Sequence, residues 1–312
     1  MIRISNKYTA DERSRYYNFV VNQRPRALAP GGNGDKIVDF INKLPRKDGY
    51  EVDEIKSFND LLTMNFARIQ GIIESLNIGN DAFDAKMEDN HALLNSYKNY
   101  YSNFFGDLDK EIGEKNNISL IRNLGVNVCP YCNRNYINSR SGRLGANFDH
   151  FYPKEDYPFF ALSLYNLVPS CNTCNIIKGT DNFYFCPFDE NSGETMNFKV
   201  SPDGEINIEH QVDERDEFEN NIVDVLRLED AYQFHSLDVK EMFSTEEEYC
   251  KEYRNKLSEL LEKNTSGIDT SQKYFDYMIY GKIADDDFDD YLNNSLSKLR
   301  KDTYNYIVEL RN

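Results

Sequence analysis

The chain has 312 residues, 40% of them hydrophobic and 13% aromatic, enough for two domains or for one core with appended helical parts, which excludes wholesale disorder. The net charge is −17, which argues against tight, unaided binding to long duplex DNA. No apolar run approaches the roughly 20 residues that cross a bilayer, and the opening Met1-Ile-Arg-Ile-Ser-Asn-Lys7 lacks the apolar segment of a signal peptide, so a cytoplasmic location and no membrane partner are expected.

In chain order, residues 1–48 carry ten Lys/Arg against five Asp/Glu, with Arg13, Arg15, Arg24 and Arg26 on an arm suited either to solvent or to a phosphate or partner contact. Ala29-Pro-Gly-Gly-Asn-Gly34 follows as a flexible break. Periodicity predicts a helix over 57–76, with Leu61, Leu62, Met64, Phe66, Ile69, Ile72, Ile73 and Leu76 on one apolar face. A second helix over 90–108 repeats this with Leu93, Leu94, Tyr97, Tyr101, Phe104 and Phe105, an aromatic stripe that reads as core rather than as a base-stacking surface. Residues 119–185 read as two short strands around a loop, followed by a helix that starts near Ser170. Beyond them, Phe198-Lys-Val200 and Ile206-Asn-Ile208 flank Pro202-Asp203-Gly204 and predict a β-hairpin. Helices are expected near 217–230, 245–263, 270–281 and 286–310. The stretch Asp285-Asp286-Asp287-Phe288-Asp289-Asp290 resembles a calcium loop only in composition and reads as a solvated helix start. No internal repeat is present. The expected organisation is a helical region with a basic arm over 1–118, a central module over 119–190, and a hairpin with acidic helices over 191–312.

The charge is unevenly spread. Residues 121–185 carry six basic against four acidic side chains, whereas residues 186–312 carry fourteen against thirty-one. A near-neutral site can therefore coexist with an acidic body, and the acidic C-terminal region is expected to shield that site or to dock a basic partner.

Two Cys-x-x-Cys pairs, Cys129-Pro-Tyr-Cys132 and Cys171-Asn-Thr-Cys174, lie in the central module. Each knuckle aims two sulfurs at one point, and two knuckles fill a tetrahedron, which points to a structural zinc with no open position; iron–sulfur ligation is the minor alternative. The remaining thiols, Cys186 and Cys250, are expected to be a small buried residue and a helix-face residue.

Between the knuckles lie Asp149-His150 and Asn166, and Asn175 follows the last cysteine. Neutral imidazole at His150 suits a general base near pH 7, and Asp149 suits a hard divalent cation. The two converge on one site only where their strand ends or bends. Asn166, in Leu164-Tyr-Asn-Leu167, can pin the loop through backbone bonds, and the Asn175 amide oxygen could complete a metal site from the first turn of the helix. A lone His or Asp is usually structural; it is the frame around this pair that changes the reading. His91, His210 and His235 lack such a frame.

These strings, Cys-Pro-Tyr-Cys, Phe148-Asp-His-Phe-Tyr-Pro-Lys154 and Leu164-Tyr-Asn-Leu-Val-Pro-Ser-Cys-Asn-Thr-Cys-Asn-Ile-Ile-Lys-Gly179, together resemble an HNH endonuclease of the His-Me finger (ββα-metal) class over about 50 residues, 129–179. The resemblance implies an α+β, mostly helical fold around a zinc-clipped ββα-metal module. It also implies hydrolysis of nucleic-acid phosphodiesters, DNA before RNA, with Mg²⁺ or Mn²⁺. His150 takes the general-base position, Asp149 the first metal ligand, Asn166 the central Asn and Asn175 the last motif residue, often His in the family. Lys154 and Lys178, and Arg134, Arg140 and Arg143 between the knuckles, become candidate phosphate contacts. More loosely, the flanking helices and the Ser295–Asp302 segment resemble HNH proteins of Septu- and retron-type bacterial anti-phage systems, in which the nuclease partners an ATPase. A zinc-stabilised binding or adaptor subunit and an RNA-cleaving toxin are the alternatives.

Overall fold

Caps and turn residues set where the helices of this chain stop. The computed structural model describes residues 2–5, 7–140, 142–182, 185–190, 196–210, 221–264, 272–284 and 288–311. Helix α1 (Ala10–Gln23) opens on a capping box in which the Thr9 hydroxyl accepts from the Glu12 amide and the Glu12 carboxylate accepts from the Thr9 amide. Helices α2 (Pro25–Leu28) and α3 (Asn33–Asn42) follow. The glycine-rich break predicted over 29–34 is shorter than expected, because Gly34 is already inside α3 and buried; a Cβ there would lie 2.6 Å from the Phe58 ring.

The helix predicted over 57–76 is two helices, α4 (Phe58–Thr63) and α5 (Phe66–Ser75). Met64 between them is extended, and the Asn65 side chain accepts from the Arg68 amide to start the second. The apolar face survives the break: all eight residues assigned to it are buried. Helices α6 (Asp81–Asp89) and α7 (His91–Phe104) come next, then a short hairpin of β1 (Leu108–Asp109) and β2 (Glu114–Lys115), then α8 (Asn116–Leu124). Helix α8 ends at Gly125, whose φ of 67° is the left-handed cap that glycine adopts at little cost.

The central region carries a hairpin of β3 (Ser139–Arg140) and β4 (Arg143–Leu144), then β5 (Asn147–His150), β6 (Leu167–Ser170) and α9 (Asn172–Lys178). Strands β5 and β6 are antiparallel, with Asn147 opposite Ser170 and His150 opposite Leu167. This is the strand, loop, strand and helix order expected from the sequence. The expected C-terminal hairpin is also present, as β7 (Met196–Val200) paired with β8 (Ile206–His210), Phe198 opposite Ile208.

The remaining helices are α10 (Ile222–Val225), α11 (Leu228–Gln233), α12 (Ser236–Glu248), α13 (Lys251–Asn264), α14 (Gln272–Tyr280), α15 (Phe288–Asn293) and α16 (Ser297–Leu310). Three of the predicted helices are split. Residues 217–220 lie outside the described residues, and the rest of 217–230 breaks at Arg227, whose φ is 49°. The predicted 245–263 helix breaks at Tyr249–Cys250, so Cys250 sits between α12 and α13 and not on a helix face. The predicted 286–310 helix breaks at Leu296, with φ 59°. Asp285–Asp287 and residues 270–271 lie outside the described residues; Asp289 and Asp290 occupy the first turn of α15, where carboxylates complement the helix dipole.

The fold is thus mixed α+β and mostly helical, and most of the buried hydrophobic residues among those described form one cluster that runs from Ile2 to Ile307. Among the described residues no helix is long and apolar enough to cross a membrane. The C-terminal helices are fastened to the first Cys-x-x-Cys turn. Asn133, in the left-handed conformation at φ 47°, donates from Nδ2 to Tyr291 O (2.6 Å) and accepts at Oδ1 from Lys298 N (3.0 Å) and Ser297 Oγ (3.1 Å). Tyr232 of the C-terminal region donates to Cys132 O (2.6 Å).

Candidate active site and metal centre

The two Cys-x-x-Cys turns are built alike. The Asn133 amide donates to Cys129 O (2.8 Å), and the Asn175 amide donates to Cys171 O (3.0 Å). Cys171 also caps α9, its Sγ accepting from Cys174 N at 3.4 Å, and Asn135 Nδ2 donates to the same sulfur at 3.3 Å. All four Sγ atoms are buried and lie within 4.8 Å of one another. Zinc at ~2.3 Å from each of four tetrahedral sulfurs separates them by roughly 3.8 Å, so the cluster is the right size. Hydrogen bonding among the four sulfurs drives the Cys171 thiol far below its ordinary pKa and the Cys174 thiol far above it. Four buried thiolates would repel one another; a divalent cation removes that repulsion. These four cysteines could hold a metal such as zinc, with no position left open for substrate.

Cys186 is wholly buried, as expected for a small packed residue. Strands β5 and β6 and helix α9 carry or adjoin the chemistry-bearing side chains. His150 is the last residue of β5, 9% exposed, with Nε2 3.0 Å from the Ala161 carbonyl. A carbonyl only accepts, so Nε2 carries the proton and Nδ1 keeps its lone pair. The Tyr101 ring packs edge-on against the imidazole at 4.5 Å. Burial lowers the pKa of His150 from 6.5 to about 3, helped by the charges of Lys154 and Lys178 and opposed by the bond to Ala161. The imidazole is therefore neutral at pH 7.

Asp149 is also buried, its Oδ2 accepting from Tyr131 OH (2.7 Å) and lying 3.2 Å from Lys178 Nζ. Burial raises its pKa, while Lys178 and the Tyr131 hydroxyl pull it down. Asn166 is fully buried between β5 and β6. Its Oδ1 accepts from Tyr152 N (2.9 Å), and its Nδ2 donates to Tyr152 O (3.0 Å) and Phe160 O (3.2 Å), so one amide ties both ends of the connection that carries Ala161. A cleft of about 400 Å³ is lined by Asp149, His150, Asn175, Lys154, Tyr101 and Thr180, among others. Asp149 and His150 thus reach one cavity although they are neighbours on a strand, because the strand ends at His150.

The basic candidates separate. Lys154 lies in the cleft, with Nζ 5.4 Å from the Tyr101 ring centroid. Arg143 is exposed on β4. Lys178 is neither a solvated residue nor a phosphate contact, because its ammonium is buried against Asp149. Arg134 is turned away as well: its Nε donates to His235 Nε2 (3.1 Å) and its guanidinium lies over the Tyr232 ring. The side chain of Arg140 lies outside the described residues. No described residue of 186–312 lines the cleft, so the expected shielding of the site by the acidic region is not made by those residues. Sequence reasoning missed Tyr131, the variable position of the first knuckle, and Tyr101, which its stripe had assigned wholly to the core. It had no way to find the Ala161 carbonyl.

No protein-family model, no curated protein and no solved structure matches this chain.

Proposed function

We propose that the chain is a metal-dependent HNH endonuclease of the His-Me finger class that hydrolyses nucleic-acid phosphodiester bonds, with DNA as the favoured polymer. The observation that carries the reading is the cleft that His150, Asp149 and Asn175 share at the end of an antiparallel strand pair followed by a helix. The bond from His150 Nε2 to Ala161 O supports it, since it leaves Nδ1 free to take a proton from water. As the proton moves to Nδ1, the water oxygen bonds to phosphorus and the bond to the leaving oxygen breaks. Asp149 and Asn175 offer carboxylate and amide oxygens, the hard donors that Mg²⁺ or Mn²⁺ takes. Such an ion, when bound, would offset the charge that builds on the phosphate and on the leaving oxygen. Asn166 keeps the connection rigid, so that Ala161 O continues to orient the imidazole. Lys154 and Arg143 remain as phosphate contacts. The zinc, if held by the four cysteines, is structural.

An anti-phage effector acting with an ATPase subunit is the cellular role we favour. Exposed apolar side chains in the acidic C-terminal helices, including Tyr253, Leu260, Tyr277 and Met278, support a protein partner there. One observation favours a second reading, a zinc-stabilised adaptor: Lys178 already pairs with the Asp149 carboxylate.

The test is to load the protein with Mn²⁺ and incubate it with supercoiled plasmid and with total tRNA, beside His150→Ala. Cleavage by the wild type, reduced about 10²–10⁴-fold in the variant with zinc content unchanged, is the expected result. Preference for tRNA would turn the reading to an RNA-cleaving toxin. Equal rates in both proteins would remove His150 as the base, and an inert wild type would favour the adaptor.

A further inference from the structure

Lys178 ends the helix that carries Asn175, and its side chain has no solvent exposure. Its Nζ lies 3.2 Å from Asp149 Oδ2 and donates to His150 O at 3.0 Å. Lysine ordinarily extends along apolar surface until its ammonium reaches water, so a fully enclosed one is held there by specific partners. Two of those partners are the residues at the centre of the proposed chemistry: the carboxylate of Asp149 and the backbone of His150. Both polar contacts of Asp149, from Lys178 and from Tyr131, fall on Oδ2, and among the described residues no donor reaches Oδ1.

We propose that Lys178 is the internal counter-ion of Asp149, a positioning residue that holds this carboxylate in place before a divalent ion arrives and competes with that ion for it. The inference rests on the nuclease reading for its assignment of Asp149 to the ion. A buried ammonium and a bound dication attached to the same carboxylate repel each other, and the burial of the lysine keeps bulk solvent from screening them. Oδ2 is committed to Lys178 and Tyr131, leaving Oδ1 as the oxygen for the ion. The free protein therefore holds Mg²⁺ or Mn²⁺ weakly while its site stays ordered. This ordering differs from the usual arrangement in which an empty cluster of carboxylates waits for metal.

The experiment titrates Mn²⁺ alone into zinc-replete, full-length protein, followed by electron paramagnetic resonance, with no nucleic acid present. Lys178→Gln removes the charge and keeps an amide able to donate to Asp149 and His150 O; Lys178→Arg keeps the charge. The expected result is Mn²⁺ binding about ten-fold tighter in Lys178→Gln than in the wild type, with no such gain in Lys178→Arg. Zinc content and circular dichroism report whether each variant is folded. If Lys178→Gln does not fold, the Lys178→Met and Asp149→Asn pair decides the matter: tighter binding in the first, lost in the second, supports competition. Equal or weaker Mn²⁺ binding in the uncharged variants overturns the inference while leaving wild-type plasmid cleavage, and so the proposed function, intact. A wild type that neither binds Mn²⁺ nor cuts nucleic acid removes both.

Discussion

A histidine whose Nε2 is committed to a carbonyl has a fixed tautomer and, here, a depressed pKa. The pKa of His150 is about 3 in the folded protein against 6.5 for the exposed side chain. The unfolded chain therefore takes up the proton first as pH falls. The stabilisation tied to this group is fully present above about pH 6.5 and is lost as pH drops toward 3. Urea unfolding at pH 7 and pH 4.5 should show the wild type losing on the order of 2–3 kcal/mol more than His150→Gln, which carries no such group. Acid release of any metal held by the four cysteines would affect both proteins alike and cancels in the comparison. At this scale the sequence was most explicit where spacing carries the meaning. The cysteines and the Asp149-His150 pair are recognisable because a knuckle or a dipeptide is local. Lys178 and Arg134 were not, because a lysine or arginine in a string says nothing about whether the fold will bury it against Asp149 or turn it toward Tyr232.

Among the elements, α9 is tied most directly to the four-cysteine cluster, since its cap is a cysteine and its first turn carries the second knuckle. Removing the metal with a chelator, or replacing Cys171 by Ser, is expected to lower the melting temperature by about 10 °C or more and to abolish the zinc signal in elemental analysis. An unchanged melting curve after complete chelation would show that the four thiols need no metal to hold the clip together. The hairpin β7–β8 and the order β5, β6, α9 were legible because alternation and a Pro-Asp-Gly turn are short-range signals. The helix breaks were not. An uninterrupted apolar face runs through Met64–Asn65, and only the Asn65 side chain, which could equally lie inside a helix, marks the restart. Arg227 and Leu296 adopt left-handed conformations that their residue types do not announce, so tertiary packing imposes those breaks.

For the whole molecule, acidity and architecture are partly one subject. Glu246 and Asp276 take the guanidinium groups of Arg254 and Arg311, joining α12, α13, α14 and the residue after α16, so some of the C-terminal carboxylates serve the interior of that region. Another long-range fastening is Asn133. Asn133→Gly keeps the left-handed backbone and removes the side chain, so Lys298 N loses its acceptor while Ser297 Oγ still donates to Tyr291 O at 2.9 Å. The expected loss is about 1–3 kcal/mol, read from urea unfolding, and a loss below about 0.5 kcal/mol would mean that the C-terminal helices dock without it. The fastening also has a timetable. Asn133 waits for partners that lie 158–165 residues further along the chain. During synthesis the first Cys-x-x-Cys turn leaves the ribosome well before the helices that carry those partners, so it gains this fastening only once the C-terminal region has been made.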